Sequence, residues 1–469
     1  MNSKQIKVVV AVALTYGFGL FGSGPVAADQ TFGPATLGAD GRLREIYIGN
    51  VGLNTQSPSG NRSFQRYRLR AWGEYKVGER FGVAARLLWE GRHYALPLKS
   101  TWAAPGFQTW WNGDVLFDKL TLDFKKIGGL PLTLKAGRQD VMLGNGWLVM
   151  DGTPLDGSRT LYMDAARVTC AVDSIKTTFD LLYINNSPNT ARFPTPLGGG
   201  TEDQTEQFET GGILYARNKS LLKDTDLDAY YIYKHNNPND TVGNLRNASG
   251  APFASPADAG EVNALGVRID SKLTPAWAVR AEAAGEWGGT KPYPGAPRQD
   301  LAAFGFNGRL TYAFNDKRAN RLHLDLEYLS GDDPHTKANE SFDPLWGRWP
   351  QWSELMIYQW PLDSRVGQAT NLTRLNLGWL AKVHPTTEVL LDYHALWANQ
   401  QSTRSPAQLV NISQNGNFRG HLFTGWVKTK FNAHVSGHLV AEYLAPGAFY
   451  AANRRDGSYF LRAEVVLAF

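Results

Sequence analysis

The feature that most constrains this chain is a two-residue alternation of apolar and charged side chains that recurs to its last residue. In residues 321–329, Leu322, Leu324, Leu326 and Tyr328 stand opposite Arg321, His323, Asp325 and Glu327. The same split runs through residues 225–234, 275–287, 388–397 and 434–443. Successive side chains of a strand point to opposite faces, so each segment has one greasy face and one face carrying both charge signs. A soluble sandwich would also alternate, but its strands average about 5–6 residues. Many of these runs have 9–12 residues, the length that crosses a bilayer at a tilt. Trp89, Trp277, Trp287, Trp379 and Trp397 fall near strand ends, where a membrane-interface girdle would place them. No repeat of fixed period points to a propeller or solenoid.

The expected class is therefore all-β: a membrane-spanning, antiparallel, up-and-down β-barrel of eighteen strands, with sixteen as the alternative count. The strands are expected at 44–53, 64–76, 81–90, 114–125, 131–139, 161–170, 175–184, 209–217, 225–234, 261–270, 276–287, 301–314, 321–330, 371–380, 388–397, 419–430, 434–443 and 459–469. The links between them alternate strictly between short ones of 3–7 residues and long ones of 10–40. Periplasmic turns of such barrels are short and external loops long. Reading residues 353–360 as a further strand would give nineteen and break the alternation, so this segment belongs to the external loop 331–370, with the option of folding inward.

Composition supports this reading. Glycine at 48 residues, with 15 Trp, 19 Tyr and 22 Phe, suits short-turned strands, and a mean hydropathy of -0.33 excludes a bundle of membrane helices. A net charge of +5, scattered along the chain, provides no nucleic-acid stripe. The single cysteine, Cys170, cannot form an internal disulfide. Lys4 and Lys7 precede an apolar run at 8–21, too short to span a bilayer, and Ala27 and Ala28 offer a cleavage site. The expected organisation is a signal peptide at 1–28, a short periplasmic segment at 29–43, and a barrel at 44–469 in the bacterial outer membrane.

A charge on the lipid face costs about 2–4 kcal/mol at mid-depth, so charged strand residues belong in the lumen. Strand phase assigns Arg66, Arg68, Arg70, Lys76, Arg86, Lys135, Arg280, Arg321, Arg374 and Arg462 to it, with Glu74, Glu90, Asp123, Glu282, Glu286, Asp325, Glu327, Asp392, Glu442 and Glu464. The Arg66, Arg68, Arg70 ladder is the clearest electropositive feature, offering fixed donors to passing carboxylates. Mutual neutralisation across the wall would use the same residues. No HExxH, GxSxG or P-loop motif accompanies the histidines, so no enzyme chemistry, cofactor or metal site is expected. Asp203, Glu206, Asp332 and Asp333 in long loops either hold a hard cation or keep the loops soluble. Trp346, Trp349 and Trp352 in loop 331–370 are candidates for a gate, a sugar platform or a plug.

Several stretches resemble the alginate-export family of outer-membrane barrels. These are Gly137-Arg138-Gln139, Leu143-Gly144, Arg159-Thr160 and Asp164-Ala165-Ala166-Arg167, then Phe342-Asp343-Pro344-Leu345-Trp346-Gly347-Arg348. The terminal SYFLRAEVVLAF, ending in Phe469, resembles an outer-membrane C-terminal signal. The resemblance implies a monomeric eighteen-stranded barrel that passes a secreted anionic polysaccharide outward through an arginine-rich lumen. Arg138, Arg159, Arg167 and Arg462 would then stand at positions similar to the family's. It also implies outer-membrane lipids around the barrel and periplasmic export proteins as suppliers of polymer. The equal counts of lumen acids and bases keep a second expectation open, a porin for passive uptake of small solutes.

Overall fold

The computed structural model describes residues 29–56, 61–96, 110–150, 162–187, 192–198, 208–237, 259–291, 297–348, 350–364, 368–401, 411–413 and 415–469. The expected signal peptide, Arg159, Asp203, Glu206 and Trp349 lie outside these residues.

Among the described residues, twenty strands form one antiparallel sheet. Two are three-residue outliers, β1 (Gln30–Phe32) and β5 (Trp110–Asn112). The other eighteen are the staves: β2 (Ala35–Gly49), β3 (Arg62–Val77), β4 (Phe81–Leu96), β6 (Leu116–Lys125), β7 (Leu132–Gln139), β8 (Met163–Val172), β9 (Thr177–Asn186), β10 (Phe208–Asn218), β11 (Thr225–Asn237), β12 (Ala259–Lys272), β13 (Trp277–Lys291), β14 (Gln299–Ala313), β15 (Arg321–Leu329), β16 (Leu372–His384), β17 (Thr387–Trp397), β18 (Phe418–Lys430), β19 (Val435–Pro446) and β20 (Ser458–Ala468). The sheet closes where β2 pairs with β20, Arg44 opposite Glu464. Closure leaves no unpaired edge, which lipid would not tolerate. Each stave corresponds to one expected strand, so the count is eighteen and not sixteen.

The alternation has the expected sense. Along β20, Leu461, Val465 and Leu467 are exposed while Phe460, Arg462 and Glu464 are buried. Leu324, Leu326, Leu375 and Leu377 continue the outer apolar belt across β15 and β16. An apolar surface that wraps the whole barrel needs a lipid environment. At the short-turn end the hairpins bend through left-handed residues, Lys176 at φ 45° and Asp224 at φ 52° among them.

Two boundaries differ from expectation. The first stave begins at Ala35 rather than residue 44, so residues 35–43 of the expected periplasmic segment are barrel strand. Gly38 and Gly41 dilute the alternation there, and Gly38 is required because a Cβ would lie 2.4 Å from the Trp72 ring. The segment at 353–360 is not a strand: it holds a short helix, α1 (Leu355–Gln359), with Leu355 and Met356 fully buried inside the barrel.

Replacing Leu324 with Arg on the outer belt should cost roughly 2–4 kcal/mol of folding stability, read from reversible denaturant unfolding in lipid vesicles. An unchanged midpoint would place that face in water.

Candidate functional site

The lumen-facing charges do not stand alone. Arg66 pairs with Glu90 at 3.1 Å and Arg68 with Asp40 at 2.9 Å. Arg70 grips the same Asp40. Arg44 pairs with Glu464 and Arg42 approaches it at 3.7 Å. Arg86 bridges Asp118 and Asp140 at 2.7 and 2.8 Å, and Arg374 holds Glu327 at 3.0 Å. Asp325 accepts from Arg309, and the Glu282 carboxylate accepts from the Tyr230 hydroxyl at 2.9 Å. The Arg280 backbone lies opposite Asp270 on one side and Arg309 on the other, and Arg321 lies opposite Leu380. The ladder is thus a set of paired guanidiniums rather than bare donors.

Position around the ring matters more than the totals. Four adjacent staves, β20, β2, β3 and β4, carry Arg42, Arg44, Arg66, Arg68, Arg70, Arg86, Arg92 and Arg462 on their inner faces, against Asp40, Glu74, Glu90 and Glu464. Arg68 and Arg70 share one carboxylate, and Arg66 and Arg92 share Glu90. Arg42 and Arg44 likewise share Glu464, so these six arginines meet three carboxylates and keep a positive excess, whereas Arg86 is taken up by Asp118 and Asp140 and Arg462 by Glu354. On the facing staves, β9 to β15, the inner acids Asp180, Glu209, Asp226, Asp228, Asp270, Glu282, Glu286, Asp325 and Glu327 outnumber the bases Arg217, Lys234, Arg268, Arg280, Arg309 and Arg321. Near-equal totals conceal an uneven distribution, with arginines gathered on one side of the ring and acids more numerous on the other.

The loop between β15 and β16 crosses this lumen as a chord. It is fastened on β10, where Glu209 accepts from the Trp346 indole at 3.1 Å and pairs with Arg348. On β11 the Lys234 ammonium donates to the Leu345 carbonyl at 3.0 Å. Its far end is held on β19, half-way round the ring, where the buried Glu442 carboxylate accepts from the Ser353 hydroxyl at 2.6 Å and from the Glu354 and Leu355 amides at 3.0 and 2.8 Å. Arg462 adds a 2.8 Å pair to Glu354, and Arg419 a 2.6 Å pair to Asp363. Trp346 is fully buried as an anchor of the chord, whereas Trp352 lies over Arg374 at 4.9 Å and beside His394.

A second inward loop, residues 140–150, braces the first. Trp346 donates its amide to the Leu148 carbonyl at 3.0 Å, and Trp147 stacks on Phe342 at 5.3 Å. The stretch FDPLWGR is the clip between them. Asp343 turns the chain by accepting the Leu345 amide at 2.7 Å, and a Cβ on Gly347 would strike the Trp147 carbonyl at 1.9 Å. Outside the membrane, Asp456 ties two further loops together by accepting from the Thr55 amide and hydroxyl, and these bonds hold its carboxyl below the usual range. Asp332 and Asp333 serve as turn acceptors, from the Glu340 and His335 amides.

Several residues here escape strand phase. Arg138 and Lys135 both reach acids, Asp164 at 2.7 Å and Asp123 at 3.2 Å, although three positions apart. Gly137 between them sits at φ 117°, a conformation that interrupts the alternation. Arg419 is turned inward next to Gly420 at φ 136°, beside a register shift. Asp40 and Arg42 fell in the glycine-bearing stretch before the expected first strand, and Arg44 stood at its first residue. Among the described residues no group of three or more His, Cys, Asp or Glu is placed to hold a metal ion.

Comparisons with known proteins agree with this architecture. Solved structures that share the fold include a BenF-like porin from Pseudomonas fluorescens Pf-5, at TM-score 0.55 and 10% identity over 94% of this chain and 100% of that one. Pseudomonas aeruginosa OccK2 (OpdF) matches at TM-score 0.52 and 12% identity, over 93% and 98% of the two chains. At such identity the likeness shows the fold alone. No curated protein sequence matches the chain. The sequence pattern described as Alginate export matches residues 35–463, from the first stave into the last. The chain, an outer-membrane β-barrel channel by family and fold, belongs to the alginate-export family.

Proposed function

We propose that this channel conducts an anionic polysaccharide outward, with the arginine wall of β20, β2, β3 and β4 as its contact surface. The observation that carries the reading is the positive excess of that wall. Guanidiniums held in place by buried carboxylates present fixed donors, and a low-dielectric enclosure strengthens their field on a passing carboxylate. The acidic wall opposite repels the polymer, so it travels along one side without being trapped. The loop chord narrows the lumen and is held by wall carboxylates at both ends. Movement is driven by polymer synthesis or a concentration gradient, with export proteins handing over the chain from the periplasm, and needs no catalysis by the barrel. The same chord favours a second reading, passage of small solutes only, which liposome swelling with unrelated sugars would reveal.

In planar bilayers the reversal potential should show anion preference, and oligouronates should block the current at low salt. The double replacement of Arg68 and Arg70 by Gln should weaken both effects, and cation preference in the unaltered protein would overturn the reading. Asp40→Asn removes the carboxylate shared by those arginines. It should raise anion preference while costing about 3–5 kcal/mol of stability, the usual penalty for stripping one partner from a buried ion pair. Glu442→Ala leaves three donors at the start of α1 without their acceptor. It should destabilise the chord by about 1–3 kcal/mol per donor left unpaired, seen as faster proteolysis in the 331–370 loop and noisier conductance.

A further inference from the structure

Trp277 and Trp287 are exposed on the outer face, but Trp72 on β3 and Trp426 on β18 follow the inner phase, in step with Arg70 and with Thr424. The Trp426 ring is taken by cations, with Lys428 over it at 4.8 Å and Arg462 at 5.2 Å. Trp72 is placed differently. Its register partner on β2 is Gly38, where a Cβ would strike the indole, so the ring lies across the glycine backbone. The indole N–H donates to the Asp29 carboxylate at 2.9 Å, which fixes the edge of the ring. Trp72 is left half-buried, one side of it against the wall and the other toward the lumen. Glu74 and Lys76 follow it on the same inner face toward the short turn, both exposed, and Lys119 reaches Glu74 at 3.1 Å. The channel reading makes no use of this ring.

We propose that Trp72 is a stacking platform for one pyranose ring of the polymer as it enters from the periplasmic side. The proposal rests on the export reading and names a contact within it. Arginines recognise charge, so any flexible polyanion satisfies the wall above. A pyranose also has an apolar C–H face, and the face of an indole carries the negative lobe of its quadrupole, so the two attract when stacked. Such a platform must be flat, held and open on one side, and Gly38 and Asp29 supply the first two conditions. Sugar hydroxyls at its rim need polar partners that both donate and accept, which Lys119 and Glu74 provide beside the ring. The charges around it balance, Lys76 and Lys119 against Asp29 and Glu74, so the spot offers a ring rather than a charge excess. Shielding a glycine is a task for any aromatic side chain, and Tyr459 does it for Gly49 on the outer face, where lipid covers the ring. Trp72 turns its open side to the watery mouth instead, and an indole face left in water there is a cost that a stacked sugar removes.

The test is single-channel recording with a short oligouronate added at the short-turn side, and with polyacrylate of similar length as an anion that has no sugar ring. Trp72→Ala should weaken the oligouronate block about tenfold while the polyacrylate block stays as it was. Trp72→Phe keeps a flat ring over Gly38 and should retain most of the oligouronate block. Heat-modifiable migration on gels confirms that each variant is folded. An oligouronate block that survives Trp72→Ala, or equal weakening of the two blocks, would overturn the platform while anion preference, and with it the export reading, stands. Cation preference in the unaltered protein would overturn the export reading and the platform together.

Discussion

Everything in this molecule follows from the need to pair backbone N–H and C=O groups where no water can reach them. In hydrocarbon an open sheet edge is too costly, so the staves must close into a ring. Closure through β2 and β20 divides every strand into an outside and an inside. The outside must be apolar. The inside then becomes the only place for the chain's charged strand residues, and their crowding there dictates the rest of the design.

Crowded charges in an enclosed space must find partners or pay for their desolvation. Most do so across neighbouring staves, as Arg138 does with Asp164 and Arg167 with Asp180. Some of the buried carboxylates are given instead to the inward loop. Glu209 and Glu442, on opposite sides of the ring, use their oxygens to hold its two ends. The loop is thus suspended by the same kind of interaction that neutralises the wall. Where arginines share a carboxylate, as Arg68 and Arg70 share Asp40, the wall stays positive after pairing. That residual charge is what distinguishes one side of the lumen from the other.

Much of this was legible in the chain. Leu322, Leu324 and Leu326 against His323, Asp325 and Glu327 show which way β15 faces, because the strand period is two and the two faces meet different media. The link lengths gave the stave count for a similar reason, since hairpins on the two sides obey different length rules. Legibility failed where glycine intervened. Gly38 and Gly41 blurred the first half of β2 and with it Asp40 and Arg42. Gly137 and Gly420 break the alternation at Arg138 and Arg419, so those side chains could not be placed from phase.

The sequence by itself determined the staves, their inner and outer faces and the short and long ends, since these depend on neighbours two residues apart and on link length. Only the tertiary structure decided which charges meet, because partners such as Arg44 and Glu464 are brought together by ring closure across almost the whole chain. It also decided that the 331–370 loop enters the lumen. That outcome rests on side chains from β10, β11, β18, β19 and β20 converging on one segment, and no local pattern encodes such convergence.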